Sequence, residues 1–256
     1  MEKNRFATGL WNIIYPLLLY FVGRYLILSV AVVGCQSLGN GEISPFLYGV
    51  INAAAMLGGL AFLFPTIKLE REETREKKVP FFAFLILTAC SISAVILMNI
   101  LMEKSGLVQQ SELFQETSRN QFGVPLWLGL LLYGLIAPLA EEFLFRFVLL
   151  GRIRKWTGRA LTAVIVSSTL FGIYHGNMVQ GIYAFVLGCA LACTTLYYEN
   201  IWTAVFFHSI GNIVIFLCGM YPWLGDIFFS KVPVYAYIFV LILCLGLQKK
   251  VKLYLT

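Results

Sequence analysis

Long apolar runs separated by short polar connectors set the pattern of this chain. Eight of them, at about 10–36, 46–67, 81–102, 125–150, 160–176, 181–198, 201–220 and 232–248, read as membrane spans. Each approaches the roughly 20 apolar residues that carry a helix across a bilayer. The pattern predicts an all-α polytopic integral membrane protein with about eight transmembrane helices. Among the connectors, KLEREETREKK (residues 68–78) is mixed in charge and solvated, and Val79-Pro80 marks the mouth of the third span. The longest connector, 103–124, contains SELFQETSRN. With Ser111 as N-cap it predicts a short surface helix, placed to cover a site or meet a substrate.

Composition strengthens this reading. At 59% hydrophobic and 12% charged residues, the chain is too apolar for an ordinary soluble domain. A single integral domain over 1–256 is expected, with its chemistry-bearing segment at about 125–220. The first span is long for a cleavable signal core and is expected to be retained. The six cysteines, Cys35, Cys90, Cys189, Cys193, Cys218 and Cys244, fall in spans without metal-binding spacing and read as small apolar residues.

The net charge of +6 follows topology rather than one basic face, so no nucleic-acid partner is expected. With the N-terminus inside, fourteen basic residues fall in cytoplasmic segments: Lys3, Arg5, Lys68, Arg71, Arg75, Lys77, Lys78, Arg152, Arg154, Lys155, Arg159, Lys249, Lys250 and Lys252. Only Lys104, Arg119 and Lys231 fall outside. That asymmetry predicts that both termini are cytoplasmic.

Three polar clusters break the apolar pattern. In LAEEFLFR, Glu142 and Arg146 stand at i and i+4 and can pair, whereas Glu141 is turned by about 100° around the helix axis. Charge at membrane depth costs at least a few kcal/mol and belongs against a partner or a wet cavity. The arginine accounts for one glutamate and leaves the other unmatched. Pro138 removes a backbone donor just upstream and loosens the turn beside Glu141.

The second cluster is FGIYH, ending at His175, and the third is HSIGN, in which His208 and Asn212 share a helix face. These are the only two histidines in the chain. A glutamate to take a proton from water, a histidine to orient that water, and an imidazole with an amide facing an oxyanion supply what peptide-bond hydrolysis needs. A glutamate and two histidines also suit zinc with one open position, although no HExxH pair encodes such a site locally. Intramembrane acids and histidines serve proton relays too, which leaves a small transporter open, without support from inverted repeats.

Taken together, EEFLFR, FGIYH and HSIGN resemble the EExxxR, FxxxH and HxxxN motifs of the CAAX protease and bacteriocin-processing (CPBP, Abi) family of intramembrane proteases. They occur in that order on separate spans, and the eight-span layout is similar to the CAAX prenyl endopeptidase branch. The resemblance implies a hydrolase of peptide bonds in the bacterial cytoplasmic membrane. Glu141 would activate water and Glu142 with Arg146 would support it. His175 would share the handling of water and proton, and His208 with Asn212 would form the oxyanion side. The family has been described both as a metalloprotease and as glutamate-dependent without metal; in the first version zinc would be held by Glu141, His175 and His208. Peptide processing implies a peptide or membrane-anchored protein substrate within the lipid bilayer, and prenylated CAAX proteins are one branch's substrate. A non-catalytic bacteriocin-immunity or scaffold protein on the same fold is the alternative.

Other positions carry plainer expectations. Arg24 interrupts the first span and reads as a snorkelling or bundle-paired arginine. Tyr174, Asn177, Gln180 and Tyr183 lie near His175, where they can line a substrate entrance. Glu199-Asn200 reads as a turn, and Gly188, Ala190 and Ala192 as small residues for close helix packing.

Overall fold

The structure, a computed structural model, describes residues 2–38 and 44–253, and holds helices and no strand among them. Side chains are described for 6–35 and 44–248, so Lys3, Arg5, Lys249, Lys250 and Lys252 of the orientation count lie outside the described residues. The helices are α1 (Glu2–Leu38), α2 (Pro45–Glu73), α3 (Phe81–Lys104), α4 (Leu107–Gln110), α5 (Glu112–Phe122) and α6 (Leu126–Thr157). They continue with α7 (Ala160–Tyr174), α8 (Met178–Tyr198), α9 (Ile201–Met220), α10 (Pro222–Lys231) and α11 (Val234–Leu253).

Every expected span is a helix, and the molecule is an all-α polytopic membrane protein. Six helices are long and apolar enough to cross a bilayer: α1, α2, α3, α6, α8 and α9. The remaining two expected spans differ. Helix α7 has only 15 residues, and α11, which holds the last expected span, meets the short α10 at a bend of 82° at Val232-Pro233. A proline there lacks the N–H that would continue the helix.

Local chemistry sets the boundaries. Pro80 stands in extended conformation at the start of α3, and Ser111 Oγ accepts from Phe114 N at 3.2 Å to start the predicted surface helix α5. Gly158, at φ 69°, ends α6 in the left-handed conformation that glycine adopts without strain. Glu199 closes α8 and Asn200 caps α9 through Trp202 N at 2.8 Å, which forms the expected turn.

Glycines bring two helix pairs into close contact. A Cβ on Gly23 would lie 2.7 Å from the Gly58 carbonyl oxygen, so α1 lies tight on α2. A Cβ on Gly172 would lie 2.7 Å from the Gly181 carbonyl oxygen, which draws α7 against α8.

The start of α1 and the far part of α11 share one end of the bundle. Near the start of α1, Gly9 packs on Trp156 and the Asn12 carbonyl accepts from Arg152 at 3.0 Å. Arg152 also pairs with Glu70 at 2.6 Å, and Lys155 with Glu73 at 2.8 Å. At the same end, Tyr197 at the foot of α8 donates to the Gln248 carbonyl of α11, and Lys77 pairs with Glu199 at 3.0 Å. Helices α4 and α5 lie between the opposite ends of α3 and α6.

Candidate active site

Helix α6 positions the first cluster, and it does so with an irregular backbone. Residues Leu132–Ile136 and Phe143–Leu150 wind as π-helix, on either side of a normal segment Ala137–Glu142. Pro138 explains part of this. Ala137 N–H reaches back five residues to the Leu132 carbonyl, and Pro138 has no N–H to offer next, so the Tyr133 carbonyl is left free to accept from outside the helix. Asn212 Nδ2 of α9 donates to it at 3.0 Å. The gap left by a proline thus becomes a joint between two motif-bearing helices.

Glu142 and Arg146 form the expected i,i+4 pair, at 3.1 Å, with both side chains fully buried. Sequence reasoning missed a third member. His208 Nδ1 donates to the same Glu142 Oε1 at 2.8 Å. The Arg146 guanidinium lies 4.2 Å from the Phe171 ring centre, a cation–π contact that compensates part of its desolvation. Gly188 leaves the room: a Cβ there would stand 2.9 Å from Arg146 Nη2. Glu142 Oε2, Arg146 Nε and Nη2, and Ser168 Oγ are buried without a hydrogen-bond partner among the described residues. This cluster is sealed and holds its geometry through the contacts it has.

Glu141, one residue away, faces differently. It is 5% exposed and lines a cavity of about 600 Å³. Tyr133, His175, His208, Asn212 and Arg24 line the same cavity. His208 Nε2 lies 3.8 Å from Glu141 Oε2. Because its Nδ1 hydrogen is committed to Glu142, Nε2 is the nitrogen that faces Glu141. His175 is fixed in the same sense: its Nδ1 donates to the Phe171 carbonyl at 2.8 Å, which leaves Nε2 with its lone pair. The Phe171 ring packs edge-on against both imidazoles, with centroids at 4.8 Å from His175 and 5.9 Å from His208. Beside the two imidazoles the cavity therefore presents the Glu141 carboxylate together with two Nε2 positions.

Of the residues expected at an entrance, Tyr174, Gln180 and Tyr183 line the cavity, whereas Asn177 is spent on capping α8 through Gln180 N at 2.8 Å. Helix α5 covers it with Phe114, Thr117, Ser118, Gln121 and Phe122, as its placement predicted. Asn52 and Asn99 also line it and were not singled out from sequence. A lone amide in an otherwise apolar span is the signal that would have found both.

The zinc set suggested by the resemblance has a weaker geometric basis. Among the described residues, no three His, Cys, Asp or Glu side chains are gathered to hold a metal ion. The bond from His208 Nδ1 to Glu142 leaves Nε2 able to ligate, as in carboxylate-oriented metal histidines, but Glu141, His175 and His208 are not gathered as a ligand set in this arrangement.

A helical membrane protein whose spans enclose a carboxylate and two oriented imidazoles defines a narrow class, and the comparisons with known proteins fall within it. Residues 123–214, which contain all three motifs, match the family described as type II CAAX prenyl endopeptidase Rce1-like. The likeness to that family rests on this segment, about a third of the chain. The chain is also 25% identical over 117 residues to a Bacillus subtilis (strain 168) protein named "Putative membrane peptidase YdiL". That match takes in 46% of this chain and 47% of the relative, so the chain spans about half the length of the curated relative it matches. No solved structure matches the chain.

Proposed function

We propose that this protein is an intramembrane endopeptidase that hydrolyses a peptide bond with water activated by Glu141. The observation that carries the reading is the contrast at two adjacent glutamates. Glu142 is consumed by Arg146 and His208, whereas Glu141 faces the cavity with His208 Nε2 3.8 Å away.

The chemistry follows from that arrangement. Water held between Glu141 and the lone pair on His175 Nε2 gives one proton to Glu141 as its oxygen bonds to the scissile carbonyl carbon. The carbonyl oxygen becomes an oxyanion. His208 Nε2, when it carries a proton, donates to it, and Glu142 at Nδ1 balances the resulting imidazolium. Asn212 holds one N–H on Tyr133 and keeps the other for the cavity. The tetrahedral intermediate then collapses, the C–N bond breaks, and the leaving amine takes the proton held by Glu141. One water is consumed, and an acid and an amine are released. A low-dielectric cavity strengthens each of these contacts relative to water.

Topology supports the setting. Basic residues Lys77, Arg152, Arg154 and Lys155 gather at the end of the bundle that holds the start of α1 and the far part of α11, and we assign that end to the cytoplasm. The substrate is a peptide or membrane-anchored protein segment that reaches the cavity beneath α5.

Purified protein in lipid nanodiscs, given a peptide library and read by mass spectrometry, tests the proposal. Cleavage at a defined bond that is lost in Glu141→Gln and in His175→Ala is expected. The same products from all three proteins would overturn the mechanism. Loss of cleavage on chelation, restored by zinc, would move water activation onto a metal held by Glu141, His175 and His208.

A further inference from the structure

Arg24 is the cationic cavity residue, among those described, that the hydrolytic mechanism does not use. It stands well inside the first span, Phe6–Cys35, and is the one Lys or Arg on the cavity wall among the described residues. Charge at such depth requires a partner. Its Nη1 donates to the Tyr174 hydroxyl, its guanidinium lies 5.1 Å from the Tyr174 ring centre, and it enters no ion pair among the described residues. A neutral phenol satisfies one of five N–H donors, and Glu141 answers the charge only across the cavity, without an ion pair among the described residues.

The surroundings hold this cation in place. The Tyr20 hydroxyl lies 3.3 Å from that of Tyr174, and Tyr20 is fully buried. Gly23 lets α1 sit against the Gly58 backbone of α2 and so brings Arg24 to the cavity. An arginine that only snorkels needs neither an aromatic shelf nor a built approach.

We propose that Arg24 binds a carboxylate of the substrate and so selects what the cavity accepts. The inference rests on the endopeptidase reading and adds the substrate class. Guanidinium and carboxylate match in a two-pronged geometry, and the pair is strong where water is scarce. Position sets the register. The Tyr174 ring, 5.1 Å from Arg24 Cζ, has its centre 5.5 Å from the His175 ring. An extended peptide advances about 3.3–3.6 Å per residue, so the carboxylate belongs within about three residues of the bond attacked at His175. Two sources fit this chemistry: a free C-terminus close to the cleavage point, or an acidic side chain.

Four versions of one cleaved peptide separate them: free C-terminus or C-terminal amide, each with an acidic or an isosteric amide side chain near the bond. Native protein is expected to favour a carboxylate-bearing version by about 10- to 100-fold in kcat/KM, chiefly through KM. Arg24→Gln is expected to bring that ratio close to one, and Arg24→Lys to keep part of it, since charge survives without the planar fork. The C-terminal source predicts that amidation alone removes the preference; the side-chain source predicts that only the Asp-to-Asn or Glu-to-Gln change does. Equal rates for all four peptides with native protein, or an unchanged ratio in Arg24→Gln, would overturn the proposal. Should Arg24→Gln not fold, the native ratio and Arg24→Lys decide it.

Binding of the same peptides to Glu141→Gln, measured by fluorescence anisotropy, separates the two readings. Carboxylate-dependent binding without cleavage by the native protein would sink the endopeptidase reading and leave Arg24 as the anion site. Cleavage without carboxylate preference would do the reverse.

Discussion

Two layers of polar residues cross the same bundle, and they solve the problem of charge in an apolar setting in opposite ways. In the sealed layer, Glu142, Arg146 and His208 Nδ1 share short contacts at 3.1 and 2.8 Å, with Phe171 under the guanidinium. In the cavity layer, Glu141 has His208 Nε2 at 3.8 Å and Arg24 has a tyrosine. Buried charge held against buried counter-charge serves geometry, and charge without a close counter-charge beside a cavity is available to a substrate. His208 belongs to both layers through its two nitrogens, so the sealed layer orients the open one.

The sharpest way to break this contrast is to neutralise each glutamate. Glu141→Gln is expected to lower turnover by about 10²–10⁴-fold, the usual range for a general base, with the unfolding midpoint close to native. If Glu141→Gln unfolds the protein while leaving the activity of the folded fraction intact, the two layers have been assigned the wrong way round.

In the sealed layer, stability should move first. Glu142→Gln leaves Arg146 as a buried cation without its counter-charge and is expected to cost about 3–5 kcal/mol. Arg146→Met alone strands Glu142 at similar cost. The double variant should recover much of the loss, because two neutral side chains of similar size need no pairing. Unfolding in mixed detergent micelles measures all three. A double variant as unstable as the sum of the singles would show that the pair is not the unit.

A smaller effect probes the space around the guanidinium. In Gly188→Ala the added Cβ would stand 2.9 Å from Arg146 Nη2, 3.2 Å from Phe171 Cδ1 and 3.2 Å from Ser168 Cβ. Overpacking of this kind costs about 1–3 kcal/mol. Activity should fall as well, because Phe171 carries the carbonyl that orients His175. Native stability and activity in Gly188→Ala would mean that the sealed layer yields more easily than its contacts suggest.

Much of this was legible in the sequence, for physical reasons that differ by residue. The Glu142–Arg146 pair is local, so helical periodicity alone placed it. The helices were legible because hydrophobicity is a property of composition, yet span length was not secure: α7 is 15 residues, and an 82° bend separates α10 from the last expected span. The contact between His208 and Glu142 joins positions 66 apart and depends on how α9 is rotated against α6, which no local pattern encodes. Arg24 was visible as an anomaly, but its place on the cavity wall follows from the packing of α1 on α2. The family resemblance named residues that the fold gathers around one cavity and already set Glu141 apart from the Glu142–Arg146 pair, but not the bond from His208 to Glu142.

The smallest predicted effect tests the joint between α6 and α9. Asn212 donates to the Tyr133 carbonyl, which is free because Pro138 has no N–H to give. Asn212→Ala is expected to destabilise the fold by about 1–3 kcal/mol by leaving that carbonyl unpaired. In Pro138→Ala the restored N–H can satisfy the carbonyl from within the helix, so Asn212→Ala should cost less in that background. The double-mutant cycle is expected to show a coupling of about 0.5–1.5 kcal/mol in that direction. Additive effects would detach the proline from the asparagine and leave the π-helical turn before Glu141 without its cause.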